Sequence, residues 1–185
     1  ADVVKNTNAV LVVDAVSGLG VVDLQMDAWG VDVVCSGSHK GLMLPPGVAF
    51  IAVSPKAFAL IEKCTTPRYY FDLRESKKAW EKTDTPFTPA IGIIIAMKKS
   101  LDMIKEKGLT NTFAHYAKLA KGTHAAAKAL GLSVFAHPSC ASNALTAINL
   151  PATIDGEKLV KTMRDVEGVT IAGGQDQLKG KIVRI

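Results

Sequence analysis

The chain is 185 residues long, 48% hydrophobic, and carries a formal net charge of +5. That length holds a sizeable core in one or two domains. No apolar run is long enough to span a bilayer, and no secretory signal is visible. The lysines are dispersed rather than striped, with no interleaved aromatics, which argues against nucleic acid as a partner. Three scattered cysteines, Cys35, Cys64 and Cys140, lack metal-ligand spacing and fit free thiols in a reducing compartment. The expectation is a soluble, cytoplasmic protein.

In chain order, residues 1–8 read as the tail of a helix and a turn. Residues 9–13 are an apolar strand that ends on Asp14, and a small-residue turn follows. Residues 21–29 are a connection to a second strand, 31–36. A polar turn then delivers Lys40, ahead of Gly41 and the rigid Pro45-Pro46-Gly47. Residues 48–53 form a third strand. Ser54 and Pro55 are the N-cap and first position of a helix lasting to about Cys64.

A break at residues 65–67 leads into the aromatic run Tyr69-Tyr70-Phe71, read as packing or interface material, and then a short helix over 73–82. Residues 84–89, with two prolines, are a loop. A long amphipathic helix covers 91–107 and is closed by Gly108. Thr110 or Asn111 caps another helix, which runs to Leu130 and ends at Gly131. Beyond it come strands at 133–135 and 145–150, a helix from Asp155 to about Val166, and strands at 169–172 and 181–185. This order suggests an α+β domain with an antiparallel sheet covered on one face. The expected division is residues 1–100 and 101–185.

Two stretches carry chemistry. In VVCSGSHKGLMLPPG (33–47), a lysine at the end of a buried strand is expected in a poorly solvated place, where the neutral amine needed for Schiff-base chemistry is favoured. In LVVDAVSGLG (11–20), Asp14 stands at a strand's carboxyl end, where α/β sheets gather ligand groups. Taken alone, Lys40 reads as a surface lysine and Asp14 as a turn residue. Together, a carboxylate for a protonated pyridine nitrogen and an amine for an aldehyde describe the two poles of a pyridoxal phosphate site.

These segments, with YYFDL (69–73), TPFTPA (85–90) and the terminal GKIVRI, resemble the class V aminotransferases, nearest the serine–pyruvate and alanine–glyoxylate branch. The resemblance implies an α/β, fold-type I pyridoxal phosphate-dependent transferase: part of the large-domain mixed sheet, then a small α+β C-terminal domain. It implies that Lys40 holds pyridoxal 5'-phosphate as an internal aldimine and shuttles the substrate proton, and that Asp14 pairs with the pyridine nitrogen. Val16 packs beneath the ring, and His39, assisted by Ser38, meets the phosphate. Thr85 or Thr88 reaches the phosphate of the neighbouring subunit in a homodimer with shared sites. Arg184 pairs with the substrate carboxylate. Read without the family, His39 is a locally bonded turn histidine and Arg184 a surface arginine.

The implied reaction is a ping-pong transfer from alanine or serine to glyoxylate or pyruvate. The family's phosphate-cradling loop and ring-stacking aromatic lie upstream of the matched motifs, so the chain is expected to be a C-terminal fragment. Two alternatives stand beside this. A cysteine desulfurase of the same fold needs a mobile nucleophilic thiol, for which Cys140 is the candidate. A non-catalytic accessory or dimerisation subunit is the other. Related chains are sometimes labelled the small subunit of a soluble hydrogenase, but three dispersed cysteines cannot ligate a typical four-cysteine cluster.

Overall fold

In a computed structural model that describes residues 1–185, the chain divides into two compact units, Ala1–Lys107 and Gly108–Ile185. The first is built on a three-stranded sheet ordered β1 (Val12–Asp14), β2 (Val33–Gly37), β3 (Ala49–Val53). β1 runs parallel to β2, pairing Val12 with Val33 and Asp14 with Cys35, while β3 is antiparallel to β2. Parallel neighbours need a crossover, supplied here by residues 15–32 with the single-turn helix α1 (Met26–Trp29). Both β1 and β2 therefore end on the same side of the sheet. The lysine stretch is the connection between β2 and β3.

β1 starts later than its apolar run. The carboxylate of Asp32 accepts the Leu11 amide at 3.0 Å, and the ladder begins at the next residue. Asp32 also accepts from the Ser54 hydroxyl at 2.9 Å and from Lys56 Nζ at 3.3 Å, and Lys56 donates to the Ala9 carbonyl at 2.6 Å. One buried carboxylate thus ties both strands and the following helix together at the end opposite Asp14. Helix α2 (Pro55–Lys63) begins as expected, with the Ser54 hydroxyl accepting the Ala57 amide.

Asp72 caps α3 (Leu73–Trp80) and takes Arg74 Nη2 at 2.6 Å and Arg68 Nε at 3.4 Å. Arg68 also donates to the carbonyls of Thr66 and Cys64, which closes the α2–α3 loop. Helix α4 (Ile91–Lys107) lays Ile93, Ala96, Met97 and Ile104 on Leu42, Leu44 and Phe50. A second cluster, Ala15, Val31 and Val34 with Leu11 and Val13, lies at β1 and β2, and Leu19 packs against both.

The second unit opens on α5 (Leu109–Ala129). Gly108, at φ +81°, precedes this helix as its N-cap, so Thr110 and Asn111 fall inside the first turn rather than capping it. The sheet order is β4 (Ser133–Val134), β5 (Ala147–Asn149), β7 (Ile182–Arg184), β6 (Ala172–Gly173), antiparallel throughout. Ala127 of α5 and Leu159 and Val160 of α6 (Gly156–Asp165) pack with Ile148 and Val183 to form its core. The expected antiparallel sheet is present with shorter strands.

Two measurements check the first unit's polar framework. Ser54→Ala removes a cap and a bond to Asp32, and urea denaturation should show a loss of about 1–2 kcal/mol. Asp32, chiefly through the Leu11 amide, and Asp72, chiefly through Arg74, are held below the ordinary carboxylate value of 3.8. The unfolded chain therefore takes up protons first as pH falls. Stability should be full above about pH 5 and decline as pH drops through 4 towards the folded values. In an acid titration of unfolding, Asp32→Asn should flatten part of that decline.

Candidate active site

The site is assembled where β1 and β2 end. Asp14 is the last residue of β1 and is exposed; its Oδ1 accepts the Val16 amide at 2.9 Å, leaving Oδ2 available. This Asx turn is the local role expected of a strand-end aspartate, and it fixes the carboxylate's direction. A tight turn follows, with Leu19 N–H bonded to the Ala15 carbonyl at 2.9 Å and Gly20 at φ +81°.

From the neighbouring strand, β2 delivers Gly37, Ser38, His39 and Lys40. A methyl group at Gly37 would meet the His39 ring at 3.1 Å (Cε1) and 3.3 Å (Nδ1), and Val16 Cγ1 at 3.9 Å. Val16 and His39 therefore flank one cleared position at the carboxyl ends of both strands. Gly41 presses on the aspartate turn so closely that a Cβ there would sit 2.3 Å from the Leu19 carbonyl oxygen. Only glycine permits that approach, which locks the lysine loop to the turn that follows Asp14.

Two expectations need correction. Ser38 is fully buried; its hydroxyl donates to the Pro45 carbonyl at 2.7 Å and accepts the Val48 amide at 3.3 Å. It closes the loop and is not exposed to a phosphate. Lys40 is exposed rather than enclosed at the end of a buried strand. The chain leaves the sheet at the turn, and burial resumes at Gly41, Leu42 and Leu44.

The remaining residues lie apart in sequence. Thr85 and Thr88 are exposed in the loop before α4; the Thr85 hydroxyl donates to the Phe87 carbonyl at 2.8 Å, while that of Thr88 keeps its proton for other use. Tyr69 and Tyr70 gather on Phe87, with ring centroids at 5.8 and 4.6 Å. In the second unit, Arg184 on β7 is half-buried, not a loose surface residue. Its Nε donates to the Gly173 carbonyl at 2.7 Å, which aims the guanidinium and leaves the Nη pair for a ligand.

The family model for class-V aminotransferases matches residues 1–180. The chain belongs to that family. Class-V aminotransferases are pyridoxal phosphate-dependent enzymes with the fold-type I architecture. The chain is 45% identical over 177 residues to the small subunit of a soluble hydrogenase from Synechococcus sp. (strain PCC 6716), covering 96% of this chain and 46% of that one. It is 38% identical over 178 residues to L-aspartate–glyoxylate aminotransferase of Paracoccus denitrificans, covering 96% and 45%. The pyridoxamine–pyruvate aminotransferase structure from Mesorhizobium loti superposes with a TM-score of 0.93 at 31% identity, over 100% of this chain and 48% of that one. The chain thus spans about half the length of the relatives it matches.

The residues fit the family's cofactor on their own geometry. Gly37 leaves a cleared floor between Val16 and His39, and a carboxylate and a primary amine stand at the ends of adjacent strands. The motifs marked Asp14, His39 and Lys40 in the sequence. Gly37 was not singled out and Gly41 was read only as part of the loop after Lys40, because their signal is a contact made only after folding. Gly41→Ala should cost about 2–3 kcal/mol in urea denaturation and loosen the lysine loop without touching a functional group.

Proposed function

We propose that this chain carries the lysine-centred half of an aminotransferase site. That site moves an amino group from a small amino acid, alanine or serine, to a small 2-oxo acid such as glyoxylate or pyruvate. The observation that carries this reading is the placement of Asp14 and the Lys40 loop at the same ends of two adjacent parallel strands, with Val16 and His39 flanking Gly37. The relatives' printed activities support the substrate class. Pyridoxal phosphate, when bound, supplies an aldehyde and an electron-withdrawing ring that eases loss of the substrate Cα proton.

Each residue then has a task. Lys40 would hold the cofactor through its amine, and the same amine would move the substrate Cα proton. Asp14, steadied by the Val16 amide, would pair with the pyridine nitrogen and favour its protonated form. Val16 would pack against the ring. His39 donates to the phosphate, and Ser38 acts through the loop it closes. Arg184 offers its Nη pair to the substrate carboxylate.

The first unit belongs to the cofactor-binding domain of this reading and the second to its small domain. The working form is a homodimer, in which Thr88, whose donor is uncommitted, reaches the phosphate of the other subunit, with Thr85 shaping the loop. The exposed Tyr69, Tyr70 and Phe71 beside Phe87 supply apolar surface for that association.

A cysteine desulfurase is less well supported. Cys140 Sγ meets the His137 carbonyl oxygen at 3.5 Å rather than its ring, and the ring nitrogen engages Ser139 instead, at 2.8 Å. No base is therefore aimed at the thiol. An accessory role without catalysis predicts an idle Lys40.

The deciding experiment adds pyridoxal phosphate to the purified chain, reduces with borohydride and maps the modified peptide. A visible absorption band and a reduced adduct on Lys40 are expected, with both lost in Lys40→Ala and the band shifted in Asp14→Asn. A folded chain that traps the cofactor on lysines other than Lys40 would refute the assignment, whereas no adduct at all would mean that this half does not hold the cofactor by itself. Release of alanine and sulfur from cysteine, abolished by Cys140→Ala, would favour the desulfurase.

A further inference from the structure

The apolar face of α4 contains one hydroxyl. Ile104 clusters with the lysine loop's Leu42 and Leu44, Ile93, Ala96 and Met97 pack against that cluster, and Ser100 is buried on the same helix. Serine gains little in a helix interior, where its hydroxyl tends to bond back onto its own helix. Ser100 does otherwise. Its hydroxyl donates across 58 positions to the carbonyl of Leu42, at 2.5 Å.

That carbonyl belongs to the peptide unit joining Leu42 to Met43. The other end of the same unit, the Met43 N–H, donates to the Lys40 carbonyl at 2.8 Å. Next to it, the Leu44 N–H donates to the Ser38 carbonyl at 3.2 Å. Met43 itself has φ +58°, a left-handed conformation that a non-glycine side chain rarely adopts. Such a conformation persists only where its surroundings over-determine it. Here the peptide unit before Met43 is gripped at both ends, by Ser100 on one side and by the Lys40 backbone on the other.

We propose that Ser100 is a positioning residue for Lys40. By holding the Leu42 carbonyl it fixes the peptide plane to which the Lys40 backbone is bonded, and so the point from which the Lys40 amine leaves the loop. The proposal rests on the reading of Lys40 as the cofactor-holding amine. Nothing in the motif around Lys40 announces it, because Ser100 lies sixty positions away on another element.

The test compares the full chain with Ser100→Ala, with Ser100→Thr, which keeps the hydroxyl, and with Ser100→Cys, which keeps the volume with a weaker donor. Ser54→Ala serves as a control that weakens the same unit at the opposite end of its strands. Two quantities are measured. The first is amide hydrogen exchange of the cofactor-free chain, read by mass spectrometry over residues 38–48. The second is the initial rate at which added pyridoxal phosphate becomes trapped on Lys40 by borohydride, with the pH midpoint of the adduct's visible band.

In Ser100→Ala, exchange at residues 42–44 should rise roughly tenfold, as for loss of one buried hydrogen bond, and Lys40 trapping should slow with a shifted midpoint. Ser100→Thr should restore both, Ser100→Cys should fall between, and Ser54→Ala should change neither selectively. If Ser100→Ala matches Ser54→Ala in exchange and trapping, Ser100 is only a packing residue and the proposal is overturned. If the unaltered chain traps the cofactor elsewhere than on Lys40, the cofactor assignment fails; if it forms no adduct, this half does not hold the cofactor alone. Exchange at residues 42–44 then decides the latch by itself, and unchanged protection in Ser100→Ala overturns it.

Discussion

The arrangement depends on the parallel pairing of β1 with β2. Two parallel strands deliver their carboxyl ends to one side of a sheet, so residues that follow them meet without further folding. Asp14 ends the first strand and the lysine loop leaves the second. Had the pairing been antiparallel, the carboxylate and the amine would stand at opposite ends. The crossover that makes the pairing parallel is compact: the turn after Asp14, one turn of helix, then Asp32. Asp32 is the other half of the constraint. Its carboxylate takes the Leu11 amide, the Ser54 hydroxyl and Lys56, which sets where the ladder starts and leaves the functional end to be shaped by glycines.

That shaping is steric. Gly41 lies against the Leu19 carbonyl, and Gly37 leaves open the position between Val16 and His39. Leu19 also packs against both hydrophobic clusters of the first unit. A displacement of the turn after Asp14 therefore cannot occur without moving the lysine loop. Close packing of this kind transmits small shifts rather than absorbing them, so the separation of Asp14 from the Lys40 loop is a property of the core.

Much of this was legible in the sequence. Ser54-Pro55 opens a helix because serine caps and proline fits the first turn; the helix over Ile91–Lys107 stops where Gly108 takes a positive φ. Those features are local, and local chemistry determines them. Asp14 and Lys40 stood out because a family motif marks them. What was missed depends on long-range contact. Ser38 looked like a phosphate ligand beside His39, but its hydroxyl is consumed by Pro45 and Val48, which fold back over it. The Ser100–Leu42 bond joins residues too far apart for any window along the chain. Lys40 was expected to be enclosed because a buried strand precedes it, whereas burial resumes only beyond it.

The exposure of Lys40 separates two requirements that are often merged. A lysine that forms a Schiff base must be aimed, and its amine must be taken out of bulk water. Within the first unit, β2, the enclosed Ser38, Gly41 and the gripped Leu42–Met43 peptide hold the backbone on either side of Lys40. The enclosure is not made by those same residues, since the loop buries its leucines and turns its lysine outward. In a chain that spans about half the length of its relatives, whatever takes that lysine out of water therefore lies outside the loop itself.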